Sequence, residues 1–165
     1  VQDALLLANN MSNTLDDFKN FFSPNKIKSE FYIRDCIEQS IELSKYLLNQ
    51  ENNEVKLFIR KDIKIKSFYN ELSHVFLNII SNSKDALCSN VHKNDRIIKI
   101  IVSKYKNYRT INMLDNGGGS TKERIQKIWE RYNTTKYKRE GTGIGLYMTC
   151  IGYKCEAAED MTRVE

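Results

Sequence analysis

Proline is nearly missing from this chain: one residue in 165, Pro24, and it marks a boundary. Internal repeats and low-complexity segments are missing altogether, which excludes solenoids and repetitive scaffolds. No stretch is apolar enough to span a bilayer, because the longest run, residues 97–102, is short and interrupted by Lys99. There is no secretory leader, and the chain opens inside a helical pattern with neither a starting Met nor an N-cap. It therefore reads as a cytoplasmic piece of a longer protein that can itself be membrane-anchored. Cys36, Cys88, Cys150 and Cys155 fall in no zinc spacing, and only His74 and His92 can add imidazoles. Neither a zinc site nor a disulfide framework follows, which points to a reducing compartment. Cys36 and Cys88 lie in amphipathic helical stretches and read as small core residues.

What remains is the composition of a folded domain with an extra element: 41% hydrophobic, 10% aromatic and 28% charged residues. The net charge of +5 is spread along the chain and not gathered into a patch, which argues against a nucleic-acid partner.

Ala4, Ala8, Met11, Leu15, Phe18 and Phe22 alternate four and three apart, the seam of a bundle or dimer-stalk helix that Ser23-Pro24-Asn25 ends. After it, residues 31–33 predict a short strand. Residues 34–49 predict a helix with Ile37, Ile41, Ser44, Leu47 and Leu48 on one face. Val55, Leu57 and Ile59 alternate as a half-buried strand, and Ile63 and Ile65 repeat the pattern. Residues 70–88 predict a strong helix with Leu72, Phe76, Ile79 and Ala86 on its apolar side. Strands are expected at 97–105 and 109–114, around a turn at Lys106-Asn107. A short helix is expected at 122–130, and another from about Gly143. The order gives an α+β, two-layer α/β sandwich with helices over one sheet face.

Three local patterns carry chemistry. On the helix at 70–88, His74, Asn78, Asn82 and Asp85 form a polar stripe, with the two Asn sharing a face. Amide oxygens suit a hard cation such as Mg²⁺ that also binds phosphate oxygens; alone, such a stripe is more often plain surface. In Ile111-Asn112-Met113-Leu114-Asp115-Asn116-Gly117-Gly118-Gly119, Asp115 shares strand parity with Ile111 and Met113. Its carboxylate is therefore expected to point inward and to need a donor, such as the exocyclic amine of adenine. The glycines after it allow close backbone approach to a flat ligand, although Asp-Asn-Gly runs are also ordinary turns. In Gly141-Thr142-Gly143-Ile144-Gly145-Leu146, the glycines open a loop leading into a helix, where free N–H groups face a polyphosphate. The pattern fits neither a P-loop nor a dinucleotide-binding turn. Between the last two patterns, Trp129, Tyr132, Thr134, Thr135 and Lys136 stand in a polar stretch long enough to act as a lid.

Taken in order, these elements resemble the Bergerat-fold ATPases, and within them the sensor histidine kinases. Residues 76–87 (FLNIISNSKDAL) match the N box, and 115–119 (DNGGG) the first glycine box. Residues 128–136 (IWERYNTTK) match the F box, and 141–146 (GTGIGL) the second glycine box. The resemblance covers roughly residues 1–149. It divides the chain into residues 1–24, part of a dimerisation and phosphoacceptor hairpin, and residues 30–165, an ATP-binding catalytic domain whose C-terminal part is truncated or diverged.

The resemblance implies ATP and Mg²⁺ as cofactors. Asp115 would accept the adenine amine, and Gly117 and Gly119 would line the base pocket. Asn78 and Asn82 would be the catalytic residues, Asn82 ligating Mg²⁺ and Asn78 beside it polarising the reacting phosphate or its proton acceptor, and Asp85 would join them in binding the nucleotide. Gly141, Gly143 and Gly145 would hold the phosphates, assisted by Thr135, Lys136 and Thr142, with Ile144 and Leu146 completing the nucleotide-binding run. The γ-phosphoryl group would go to a histidine on the missing first helix of the hairpin and then to a response regulator. His74 and His92 do not match that acceptor's context, so the chain alone is not expected to phosphorylate itself. A homodimer through the first helix is a further expectation. The family usually has Pro and Phe where Arg131 and Asn133 stand, and Ile-Pro where Ser120-Thr121 stand. Two closing strands and a supporting residue for Asp115 have no counterpart in 150–165. The rival readings are a degenerate nucleotide-binding interaction module and a gyrase- or chaperone-type ATPase. The latter would carry a Glu base where Asn78 stands, and Asn is a poor base.

Overall fold

The computed structural model of the protein describes residues 27–105, 108–128, 130 and 145–152. The elements are β1 (Ser29–Tyr32), α1 (Ile33–Gln50), β2 (Glu54–Ile59), β3 (Lys64–Ser67), α2 (Tyr69–Asn90), β4 (Ile97–Tyr105), β5 (Tyr108–Asp115), α3 (Lys122–Lys127) and α4 (Gly145–Gly152). The stalk-like segment 1–24 lies outside the described residues, as do the turn at 106–107 and the tail from 153.

The main sheet has the order β2-β4-β5, with β2 and β4 parallel and β4 and β5 antiparallel. A parallel pair needs a long crossover, and here it contains β3 and α2. β1 and β3 form a separate antiparallel ribbon, fastened at its end by Lys64 Nζ and Glu30 Oε2 at 2.8 Å. One face of the main sheet carries Val55, Leu57 and Ile59 of β2, in register with Ile98, Ile100 and Val102 of β4, and then with Asp115, Met113 and Ile111 of β5. The three β4 residues are buried, as are Ile33, Cys36, Ile37 and Leu48 of α1 and Leu72, Phe76, Ile80 and Leu87 of α2. Helices therefore cover that one face, and the two-layer α+β sandwich is the architecture. Each of these large aliphatic side chains contributes roughly 1.5–3 kcal/mol of transfer free energy.

Several boundaries differ from the sequence reading. Ile33 begins α1 and does not end a strand. The inward face of α1 runs through Ile33, Ile37, Ser40 and Leu48, which leaves Leu47 half exposed at 52% because it sits about 100° around the helix from Leu48. The core line of α2 is Leu72, Phe76, Ile80, Ser83 and Leu87; Ile79 and Ala86 are its half-buried margins. α3 ends at Lys127, and α4 starts at Gly145. The α1–α2 crossing is held by small polar residues: Ser40 Oγ donates to Cys36 O at 2.8 Å and lies 3.0 Å from Ser73 Oγ. Cys36 is fully buried, and desolvation, with Asp35 adding to it, pushes its thiol up to about 12. Cys88 is only half buried and is not a core residue.

Candidate functional site

α2 is the spine of the site. Its core line fixes the helix against the sheet, which turns His74, Asn78, Asn82 and Asp85 away from the core. His74 is exposed, while Asn78, Asn82 and Asp85 are half buried. Asp85 Oδ1 pairs with Lys84 Nζ at 3.0 Å. The stripe thus lies off the core line, and one glycine of each motif, Gly117 and Gly145, comes up against α2. α4 packs on α2. A Cβ placed on Gly145 would lie 3.3 Å from both Cγ and Oδ1 of Asn78, so the absence of a side chain there sets how near the motif comes. Leu146 follows, half buried.

At the other glycine motif, Asp115 closes β5 opposite Ile98 and keeps the inward parity of Ile111 and Met113. It stands at the open end of the strand, however, and is exposed, contrary to the expectation of an interior carboxylate. Its Oδ1 accepts the Gly117 N–H at 2.9 Å. Gly117 is buried, and a Cβ on it would lie 2.9 Å from Ala86 Cβ and from Asp115 Oδ1. Only glycine fits between the carboxylate and α2. Gly118 and Gly119 have φ of +92° and +70°, a region that L side chains rarely adopt.

Three further side chains hold this end of the site. Asn116 Oδ1 accepts the Ile97 N–H at 2.9 Å, and its Nδ2 donates to Asp95 O at 2.7 Å, which ties the loop to the start of β4. Asn90 Nδ2, in the last residue of α2, donates to Gly117 O at 2.8 Å. Arg96 is 8% exposed and fastens the end of α2 to the α1–β2 turn. Its Nε donates to Val91 O at 3.1 Å and its Nη2 to Cys88 O at 3.2 Å. Its Nη1 donates to Glu51 O at 2.9 Å and Glu51 Oε2 at 3.0 Å. The hydrogen bond from Arg96 holds the Glu51 carboxyl below the usual carboxylate range.

Gly117, bonded to Asp115, lies against α2 at Ala86, and Gly145 lies against it at Asn78, on the helix that also carries Asn82 and Asp85; Gly119 and Leu146 follow in the same two runs. Thr135, Lys136, Gly141, Thr142, Gly143 and Ile144 lie outside the described residues. Sequence reasoning did not single out Asn90, Arg96 or Asn116. Asn116 stood inside a recognised motif, but an Asn at a helix end and an Arg before a strand carry no local signal.

The residues present fit an adenine nucleotide with a hard cation. One Asp115 oxygen is capped by Gly117, and the other accepts nothing from the described residues. The backbone at Gly117 leaves no room for a Cβ. Among the described residues no three of His, Cys, Asp and Glu gather as metal ligands.

Residues 69–158 match the family described as histidine kinase-, DNA gyrase B-, and HSP90-like ATPase. The chain belongs to that family. It is 31% identical over 78 residues to the two-component sensor PprA of Pseudomonas aeruginosa, which covers 46% of this chain and 8% of that protein. It is 30% identical over 108 residues to sporulation kinase A of Bacillus subtilis, covering 62% of this chain and 17% of that protein. The chain thus spans a small fraction of these relatives' length. Among solved structures, the catalytic domain of histidine kinase ThkA superposes with a TM-score of 0.65 at 20% identity, covering 76% of this chain and 78% of that one. ThkA in complex with the response regulator TrrA matches with a TM-score of 0.60 at 17% identity, covering 78% and 38%. At these identities the structural likeness establishes the fold. No helix among the described residues is long and apolar enough to cross a membrane.

Proposed function

We propose that this chain is the nucleotide-binding part of a cytoplasmic sensor-kinase region. It takes ATP with Mg²⁺ and delivers the γ-phosphoryl group to a histidine outside these 165 residues, for passage to a response regulator. The observation that carries the reading is that α2 touches both glycine motifs, at Ala86 through Gly117 and at Asn78 through Gly145. The two contacts are about 12 Å apart along the helix, a distance an extended nucleotide can bridge from base to phosphates.

In this reading Asp115 accepts the adenine amine and Gly117 and Gly119 border the base. Asn82 offers its amide oxygen to Mg²⁺, with Asn78 and Asp85 alongside. The N-terminus of α4, with Gly141, Thr142, Gly143 and Ile144 before it, faces the phosphates, and Thr135 and Lys136 come from the lid. The bound nucleotide supplies the transferable phosphoryl group. The protein's own contribution is position and charge neutralisation, with no covalent intermediate formed on this domain. Asn78 in place of a Glu removes the base that water attack requires, which favours transfer over hydrolysis. Residues 1–24 would supply one helix of a dimeric hairpin.

The test is calorimetric titration with ATP, with and without Mg²⁺. Asp115→Asn should weaken binding by about 10- to 100-fold, the range for a hydrogen bond to a charged acceptor. Asn82→Ala should abolish the dependence on Mg²⁺. A supplied acceptor-helix protein should then become labelled on histidine. A folded chain that binds no nucleotide sinks the reading. One that binds ATP but never labels an acceptor is a nucleotide-responsive interaction module.

A further inference from the structure

The run after Asp115 is the least constrained backbone of the site. A Cβ at Gly118 or Gly119 would meet nothing within 4 Å, so neither residue is packed. The last fixed point of the loop is therefore Gly117, and it is fixed on three sides. Its N–H is held by Asp115 Oδ1 at 2.9 Å, its Cα is pressed toward Ala86, and its carbonyl is held by Asn90 Nδ2 at 2.8 Å. A carbonyl oxygen only accepts, so the Asn90 amide must present its nitrogen there. The Gly117 N–H and the Asp115 carboxylate are one hydrogen-bonded unit, so whatever orients Gly117 also orients the carboxylate.

Asn90 is well placed for this. It is the last residue of α2, and the helix end it stands on is clamped by Arg96 through Cys88 O and Val91 O. The tether therefore runs from a clamped helix end to a run of three glycines with no side chains of their own. Asn116 complements it by tying the same loop to β4.

We infer that Asn90 is a positioning residue for base discrimination: by holding the Gly117 carbonyl it aims the Asp115 carboxylate at the exocyclic amine of adenine. The inference rests on the proposed ATP-binding role of Asp115. It sets selectivity more than overall affinity, because a base lacking the amine draws nothing from a well-aimed carboxylate.

The experiment compares ATP with inosine triphosphate, in which an oxygen replaces that amine, by calorimetric titration of the whole chain. The wild type should prefer ATP. In Asn90→Ala the affinity for ATP should fall about 5- to 10-fold, while that for inosine triphosphate changes by less than about twofold, the scale of one lost hydrogen bond acting on one contact. Asn90→Leu, which keeps bulk and helix propensity but has no donor, should behave the same way, so unfolding cannot account for the result. Equal losses for both nucleotides, or an unchanged preference in either variant, overturn the inference and leave Asp115 as the base reader. A wild type with no preference overturns the Asp115 reading and the inference together.

Discussion

The two glycine motifs meet the same helix in different ways. At the C-terminal end of α2, Gly117 is wedged against backbone and Cβ atoms and held by Asn90, while Arg96 fastens the helix end and Asn116 ties the loop to the start of β4. Further up the helix, the atoms nearest Gly145 belong to the side chain of Asn78, at a distance a small rotation can relieve. A base edge offers few donors at fixed angles, so its reader must be held still. A polyphosphate offers many equivalent oxygens, and a helix N-terminus can serve them with less fixing. In the proposed reading, selectivity is built at one end of α2 and charge neutralisation at the other.

The sharpest way to break this contrast is Arg96→Leu. It leaves the carbonyls of Glu51, Cys88 and Val91 without their donor in a half-buried setting, and should cost about 3–5 kcal/mol in urea unfolding. Nucleotide affinity should fall with it, since the helix end that holds Asn90 loosens. A stability loss below about 1 kcal/mol would show that the clamp is not needed.

Next in size is the pair Gly117→Ala and Gly145→Ala. The first places a methyl group 2.9 Å from Ala86 Cβ and Asp115 Oδ1, and should cost about 1–3 kcal/mol with a marked loss of ATP affinity. The second meets a side chain at 3.3 Å and adds helix propensity at the start of α4, so its stability change should stay within about 0.5 kcal/mol. Comparable effects at the two positions, read by thermal unfolding and titration, would erase the distinction drawn between them.

The smallest effect is electrostatic. The folded-state value of Glu51 lies below its ordinary 4.5 because Arg96 donates to it. Its contribution is therefore present above that ordinary value and is lost as pH falls through the lowered one. Stability against pH in the acid range should show a slope that Glu51→Gln flattens.

The register of Asp115 with Ile111 and Met113 was readable because strand parity is local, and the stripe of Asn78 and Asn82 because helical periodicity is local. Of the chain's seven glycines, 117, 118, 119, 141, 143 and 145 stand in two motifs, so the sequence announced where backbone would approach something closely. What failed was anything that depends on neighbours. Leu47 and Ile79 were assigned to apolar faces whose exact centres are set by what packs on them. Asp115 was expected in the interior, yet it stands at the open end of its strand, where parity says nothing about depth.

The sequence by itself therefore determined the family, the element order and the residue types of the site, because motif spacing and periodicity are properties of short stretches of chain. Only the tertiary structure decided that Asn90 reaches Gly117 across 27 positions, that Arg96 reaches Glu51 across 45, and that Gly145 abuts Asn78. Such contacts arise when helix and sheet dock, and no local pattern encodes which distant polar group will be waiting at the end of a helix.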